Sequence, residues 1–171
     1  TIVTENDGHS RTSSGEIRII VAPVIDAQDN YTVQSEGDED TRFNIDWKPT
    51  LAQSPDTDEF FSDVTISGFP PGSTVYVDGV AQTLVSGTLT LSPLANESEQ
   101  DFSARISQSG YIQVQLEQDS STDFDLNTTV TVKEIDHEYV DASNPGQGIA
   151  EKTINGMVHV QVNPIVEPEN T

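Results

Sequence analysis

Residues 156–168 read GMVHVQVNPIVEP. Val158, Val160 and Val162 occupy every second position, with His159 and Gln161 between them. Side chains of an extended strand alternate between faces, so this pattern predicts a strand with one apolar and one wet face. The same period recurs outward along the chain. It is carried by Ile17, Ile19 and Val21, then Val64 and Ile66, Val75 and Val77, and Leu89 and Leu91. Phe102, Ala104 and Ile106 continue it, followed by Ile112, Val114 and Leu116, and by Val130 and Val132. Turn formers separate the runs, as at Gly68–Pro70–Pro71–Gly72, Asp78–Gly79 and Asn144–Pro145–Gly146. No window of a dozen residues shows a capped apolar stripe at helical spacing. Short strands at intervals of about 8–12 residues predict an all-β chain, folded as an antiparallel β-sandwich.

The quoted stretch has a counterpart near the other end. Residues 15–27 read GEIRIIVAPVIDA, so that Gly15 matches Gly156, Val21 matches Val162, Pro23 matches Pro164 and Asp26 matches Glu167. These pairs are 141 residues apart (156 − 15). Upstream, Val3-Thr4-Glu5-Asn6-Asp7 resembles Val132-Lys133-Glu134-Ile135-Asp136, at an offset of 129 (132 − 3). The difference places about a dozen extra residues in the second copy's loop, around Asp141–Gly148. Residues 1–26 are therefore expected to be the closing hairpin of a preceding repeat or a segment of a split domain, and 27–171 the sandwich module.

Composition narrows the function. The 171 residues hold 29 acidic and 7 basic side chains, a formal net charge of −22. Phosphate contacts need clustered Lys and Arg, so a nucleic-acid surface is excluded, as is docking onto an anionic membrane face. No apolar stretch approaches the ~20 residues of a membrane helix, and no leader pattern opens the chain. Cysteine is absent, which removes disulfides and thiolate metal sites. High charge with modest hydrophobicity is also the signature of disorder, but here the apolar residues alternate rather than scatter.

Catalytic signatures are missing. There is no GxSxG, no phosphate-cradling glycine loop and no HExxH, and His9, His137 and His159 are isolated from one another. Chance pairs among so many acids carry no signal for glycoside hydrolysis. The expectation is that the chain is not an enzyme, with a polysaccharide-acting enzyme as the lesser alternative.

Carboxylates cluster at expected loop positions. Asp26 and Asp29 lie in the inter-repeat linker, Glu39 and Asp40 in an acidic run, and Asp56, Asp58 and Glu59 in an Asp-x-Asp-Glu string. Asp119, Asp123 and Asp125 form a further set, and Glu134 with Asp136 another. Ca²⁺ takes six to eight oxygens in flexible geometry, which such loops supply. A wet, purely solvating surface accounts for any single carboxylate equally well. The total charge, however, far exceeds the magnitude of about 2–8 that solubility calls for, and divalent cations would relieve the repulsion. Several Ca²⁺ ions are expected.

The strings GDEDTRFNI (37–45), DTDEFFSDVTISGFPPGS (56–73), STDFDLNTTVTVKEID (121–136) and VHVQVNPIVEP (158–168) resemble the repeats of giant RTX-type surface adhesins of Gram-negative bacteria. The resemblance covers most of 15–171, in the family's order. It implies a Ca-stabilised antiparallel Greek-key sandwich of Ig-like or cadherin-like type. It also implies metal ligation near domain junctions by Glu39, Asp40, Asp56, Asp58, Glu59, Asp26 and Asp29. Two departures stand out: Glu59 follows Asp58 directly, without the family's Gly-Ser, and Phe60-Phe61 stands where one apolar residue would serve.

In this family most modules are spacers, and a few near the tip bind other surfaces. The expectation is a monomeric, extracellular, cell-surface scaffold in adhesion and biofilm formation, with neighbouring domains of the same adhesin as partners. The alternative is a module that binds a surface peptide or glycan. Its candidate contacts are Tyr139, Asp141 and Asn144, on the long loop at 137–152. Trp47 follows Phe43 and Ile45 at strand spacing and is expected in the core.

Overall fold

The computed structural model describes residues 2–4, 10–12, 14–17, 22–51, 59–135 and 148–166. In chain order the strands are β1 (Ile2–Thr4), β2 (Ser10–Thr12), β3 (Asn30–Asp38), β4 (Arg42–Asn44), β5 (Phe60–Ser67) and β6 (Thr74–Val77). After these come β7 (Val80–Gln82), β8 (Thr88–Leu91), helix α1 (Glu99–Ile106), β9 (Ile112–Gln115), β10 (Phe124–Ile135) and β11 (Ile149–Asn163). A five-stranded sheet has the order β3-β11-β10-β5-β8, and a four-stranded sheet the order β4-β9-β6-β7. β1 and β2 pair as a separate two-stranded sheet.

Alternation drives the packing. Along β10, Leu126, Val130 and Val132 are fully buried, and β5 contributes Val64 and Ile66 to the same core. The second sheet answers with Val75, Ile112 and Val114. Trp47 lies in this core at 2% exposure, its ring centroid 5.5 Å from that of Phe61. Both Phe60 and Phe61 are buried, so neither aromatic of the doubled pair is left to solvent. Asp78 and Gly79 have positive φ (49° and 75°) and join β6 to β7 as a two-residue hairpin turn, as their sequence foretells.

Three expectations are corrected. The sandwich is not wholly antiparallel, because β3 runs parallel to β11, from Asn30↔Asn155 to Asp38↔Asn163. No hairpin connects these two strands, so nothing local forces them to run in opposite directions. Second, Phe102 and Ile106 belong to a helix, not a strand. Ser98 caps it, accepting from Asp101 N–H at 3.1 Å, a bond worth about 1 kcal/mol. Phe102 and Ile106, four residues apart, then share one buried face against β5. Third, residues 14–17 are not strand, and Ile17 stands 87% exposed. Ile19 and Val21 fall outside the described residues.

Candidate functional site

β3 has nine residues, which at about 3.3 Å per residue holds its two ends roughly 30 Å apart. The expected acidic ligands divide between these ends. Asp26, Asp29, Glu59 and Glu134 gather where the chain enters the sandwich, and Glu39 and Asp40 where β11 leaves it.

At the incoming end, Asp26 N–H donates to Glu59 Oε1 at 2.7 Å. The other carboxylate oxygen, Glu59 Oε2, is sealed from solvent and accepts no hydrogen bond among the described residues. The β5–β10 ladder ends at Phe60↔Lys133, so Glu59 and Glu134 are the next residues along their strands. Glu134 continues the inward-facing set of β10 and is only 8% exposed. Two acids thus flank the core at the point where the linker arrives. Asp29 is engaged otherwise: its carboxylate meets Lys152 Nζ at 2.8 Å, and the ammonium holds its pKa below the usual carboxylate value. The same ammonium donates to Ala27 O, fixing the linker to β11. Beside it, Tyr31 O–H donates to Trp47 O at 2.8 Å, and burial pushes the phenol up to about 12. An open groove of about 370 Å³ follows this linker, lined by Asp26, Ala27, Tyr31, Pro49 and Leu51 among others.

At the outgoing end carboxylates serve the backbone. Glu39, 9% exposed, accepts from Ile165 N–H at 2.7 Å, while its own N–H donates to Asn163 O at 3.0 Å. Asp40, at φ 60°, accepts from Asp119 N–H at 2.9 Å. Asp123 accepts from Val162 N–H at 2.8 Å. A strand leaving a sheet has backbone donors with no ladder partner, and Glu39 and Asp123 satisfy those of β11 and its exit, while Asp40 holds the turn at Asp119. Sequence reasoning had Asp123 only as a member of a cluster and did not single out Lys152. Both act through pairings with distant strands that no local spacing reveals.

Asp56, Asp58 and Asp136, and the loop residues Tyr139, Asp141 and Asn144, lie outside the described residues. Among the described residues no three acidic or imidazole side chains converge on a point that could hold a metal, and no helix is long and apolar enough to cross a membrane. Neither a protein-family model, nor a curated protein, nor a solved structure matches this chain.

Proposed function

We propose that this chain is a calcium-stiffened, Ig-like or cadherin-like Greek-key module of a large bacterial surface adhesin, acting outside the cell as a rigid spacer. The observation that carries the reading is Glu59 Oε2, a carboxylate oxygen closed to water with no hydrogen-bond partner among the described residues, beside the incoming linker. A buried acceptor left unsatisfied costs about 1–3 kcal/mol, and more when charged. A hard cation resting on Glu59 supplies the missing countercharge, and the β5–β10 register puts the Glu134 carboxylate at the same end of the sheet. Asp58 precedes Glu59 directly and Asp136 follows Glu134 by two positions in the sequence. Such an ion would tie the linker at Asp26 to the ends of β5 and β10, so that modules in series cannot swivel freely.

The mechanism is linkage: an ion that binds only the folded state stabilises it by RT ln(1 + [L]/Kd), about 2.7 kcal/mol at a hundred times Kd. The melting temperature should rise on adding millimolar Ca²⁺ and return on chelation; superimposed curves with Ca²⁺ and EDTA refute the reading. Glu59→Gln keeps an acceptor for Asp26 N–H but removes the charge. Calorimetric titration of that variant should show uptake weakened at least about tenfold, the factor corresponding to 1.4 kcal/mol.

A further inference from the structure

The separate β1–β2 sheet repeats the register of the module's own closing hairpin. β1 and β2 pair as Ile2↔Thr12, Val3↔Arg11 and Thr4↔Ser10. Adding the two sequence offsets, 129 for the first strand and 141 for the second, gives 131↔153, 132↔152 and 133↔151. Those are the pairs of β10 with β11: Thr131↔Thr153, Val132↔Lys152 and Lys133↔Glu151. Offsets read from sequence likeness alone thus reproduce three backbone pairings. The residues agree as well, Thr12 with Thr153 and basic Arg11 with basic Lys152.

Two positions further along show what the first copy lacks. Gly156 is required because a Cβ there would overlap the ring of Tyr31 on the neighbouring parallel strand β3. Its counterpart Gly15 has nothing within 4 Å of the same position. Ile17 corresponds to Val158 (17 + 141), yet Val158 is 0% exposed and Ile17 is 87% exposed. Among the described residues the first copy therefore keeps a glycine with no ring over it and a core-type side chain with no core around it.

We propose that β1 and β2, with residues 14–17 that follow them, belong to the closing hairpin of an upstream β-sandwich of the same design, whose β3-like strand lies parallel to residues 14–17 with an aromatic ring over Gly15. The partner is thereby specified. It offers a parallel edge strand on one side of the hairpin, a β5-like antiparallel strand on the other, and an apolar interior that takes Ile17. This inference stands apart from calcium binding.

A hybrid chain tests it, with residues 27–130 joined directly to residues 2–171, so that Ile2 follows Val130. The N-terminal hairpin then takes the place of residues 131–163 in an added upstream unit. Hydrogen exchange at Gly15–Ile17 should slow by at least about a hundredfold relative to the 171-residue chain. Ile17→Asp should unfold the upstream unit of the hybrid alone, while leaving the melting of the 171-residue chain unchanged. Three results overturn the proposal. One is unchanged exchange at Gly15–Ile17 in the hybrid. Another is destabilisation of the 171-residue chain by Ile17→Asp, which would place the side chain in this module's own packing. The third is a dimer of the 171-residue chain dissolved by that substitution, which would assign the hairpin to a second copy.

Discussion

Gly156 shows how one missing side chain lets two strands close. Tyr31 leans across it, and the phenol is shared with Thr128 Oγ1 at 2.6 Å. Three strands and the Trp47 carbonyl therefore meet at one hydroxyl, with the glycine as the gap that admits the ring. Glycine within a strand ordinarily weakens it, so a close approach is its usual justification. Gly156→Ala should push the ring aside and lower the unfolding free energy by about 1–3 kcal/mol, measured by urea denaturation. A midpoint equal to that of the parent would show that the ring can move without cost. The repeat made Gly156 conspicuous in the sequence; that Tyr31 is what fills it depends on a parallel pairing between distant segments.

Among the elements, α1 is the one the periodicity misread. Phe102, Ala104 and Ile106 alternate like a strand, but Phe102 and Ile106 also stand four apart, and short apolar runs fit either period. The capping serine, with Asp101 three residues later, decides the matter locally. Ahead of the cap, Glu97 accepts from Leu94 N–H at 2.8 Å and from both Arg105 Nε and Nη2, at 2.6 and 2.7 Å. The Arg105 hydrogen bonds, with that from Leu94, lower its pKa to about 2. A depressed carboxylate contributes stability that is present above its unfolded value near 4.5 and is lost as pH falls through the folded one. Acid should therefore loosen the helix attachment between about pH 4.5 and 2, and Glu97→Gln should remove that step. Following the Glu97 carboxyl by NMR checks this directly, and a midpoint near 4.5 would contradict the pairing. Strands β6, β9, β10 and β11 were legible because each buries one face against a single core, so period two is written into them without competition.

At the scale of the whole molecule, charge is the dominant feature. A net −22 on 171 residues repels itself, and the Debye length falls from about 30 Å at 0.01 M salt to about 8 Å at 0.15 M. Raising NaCl over that range, with EDTA present, should increase the melting temperature; a flat response would show that the acids are already neutralised within the fold.

Composition and alternation determined the two-sheet β architecture, the core role of Trp47 and the hairpin turn at Asp78–Gly79, since each depends on neighbours within a few residues. The expected loop placement holds for Asp26, Asp29, Glu39 and Asp40, whereas Asp125 and Glu134 lie within strand β10. Only the tertiary structure decided that β3 lies parallel to β11, that Asp29 is held by Lys152, and that Glu39 and Glu59 serve opposite ends of the sandwich. Those outcomes rest on contacts between segments far apart in the chain, whose register is set by the packing of the whole core and leaves no trace in local spacing.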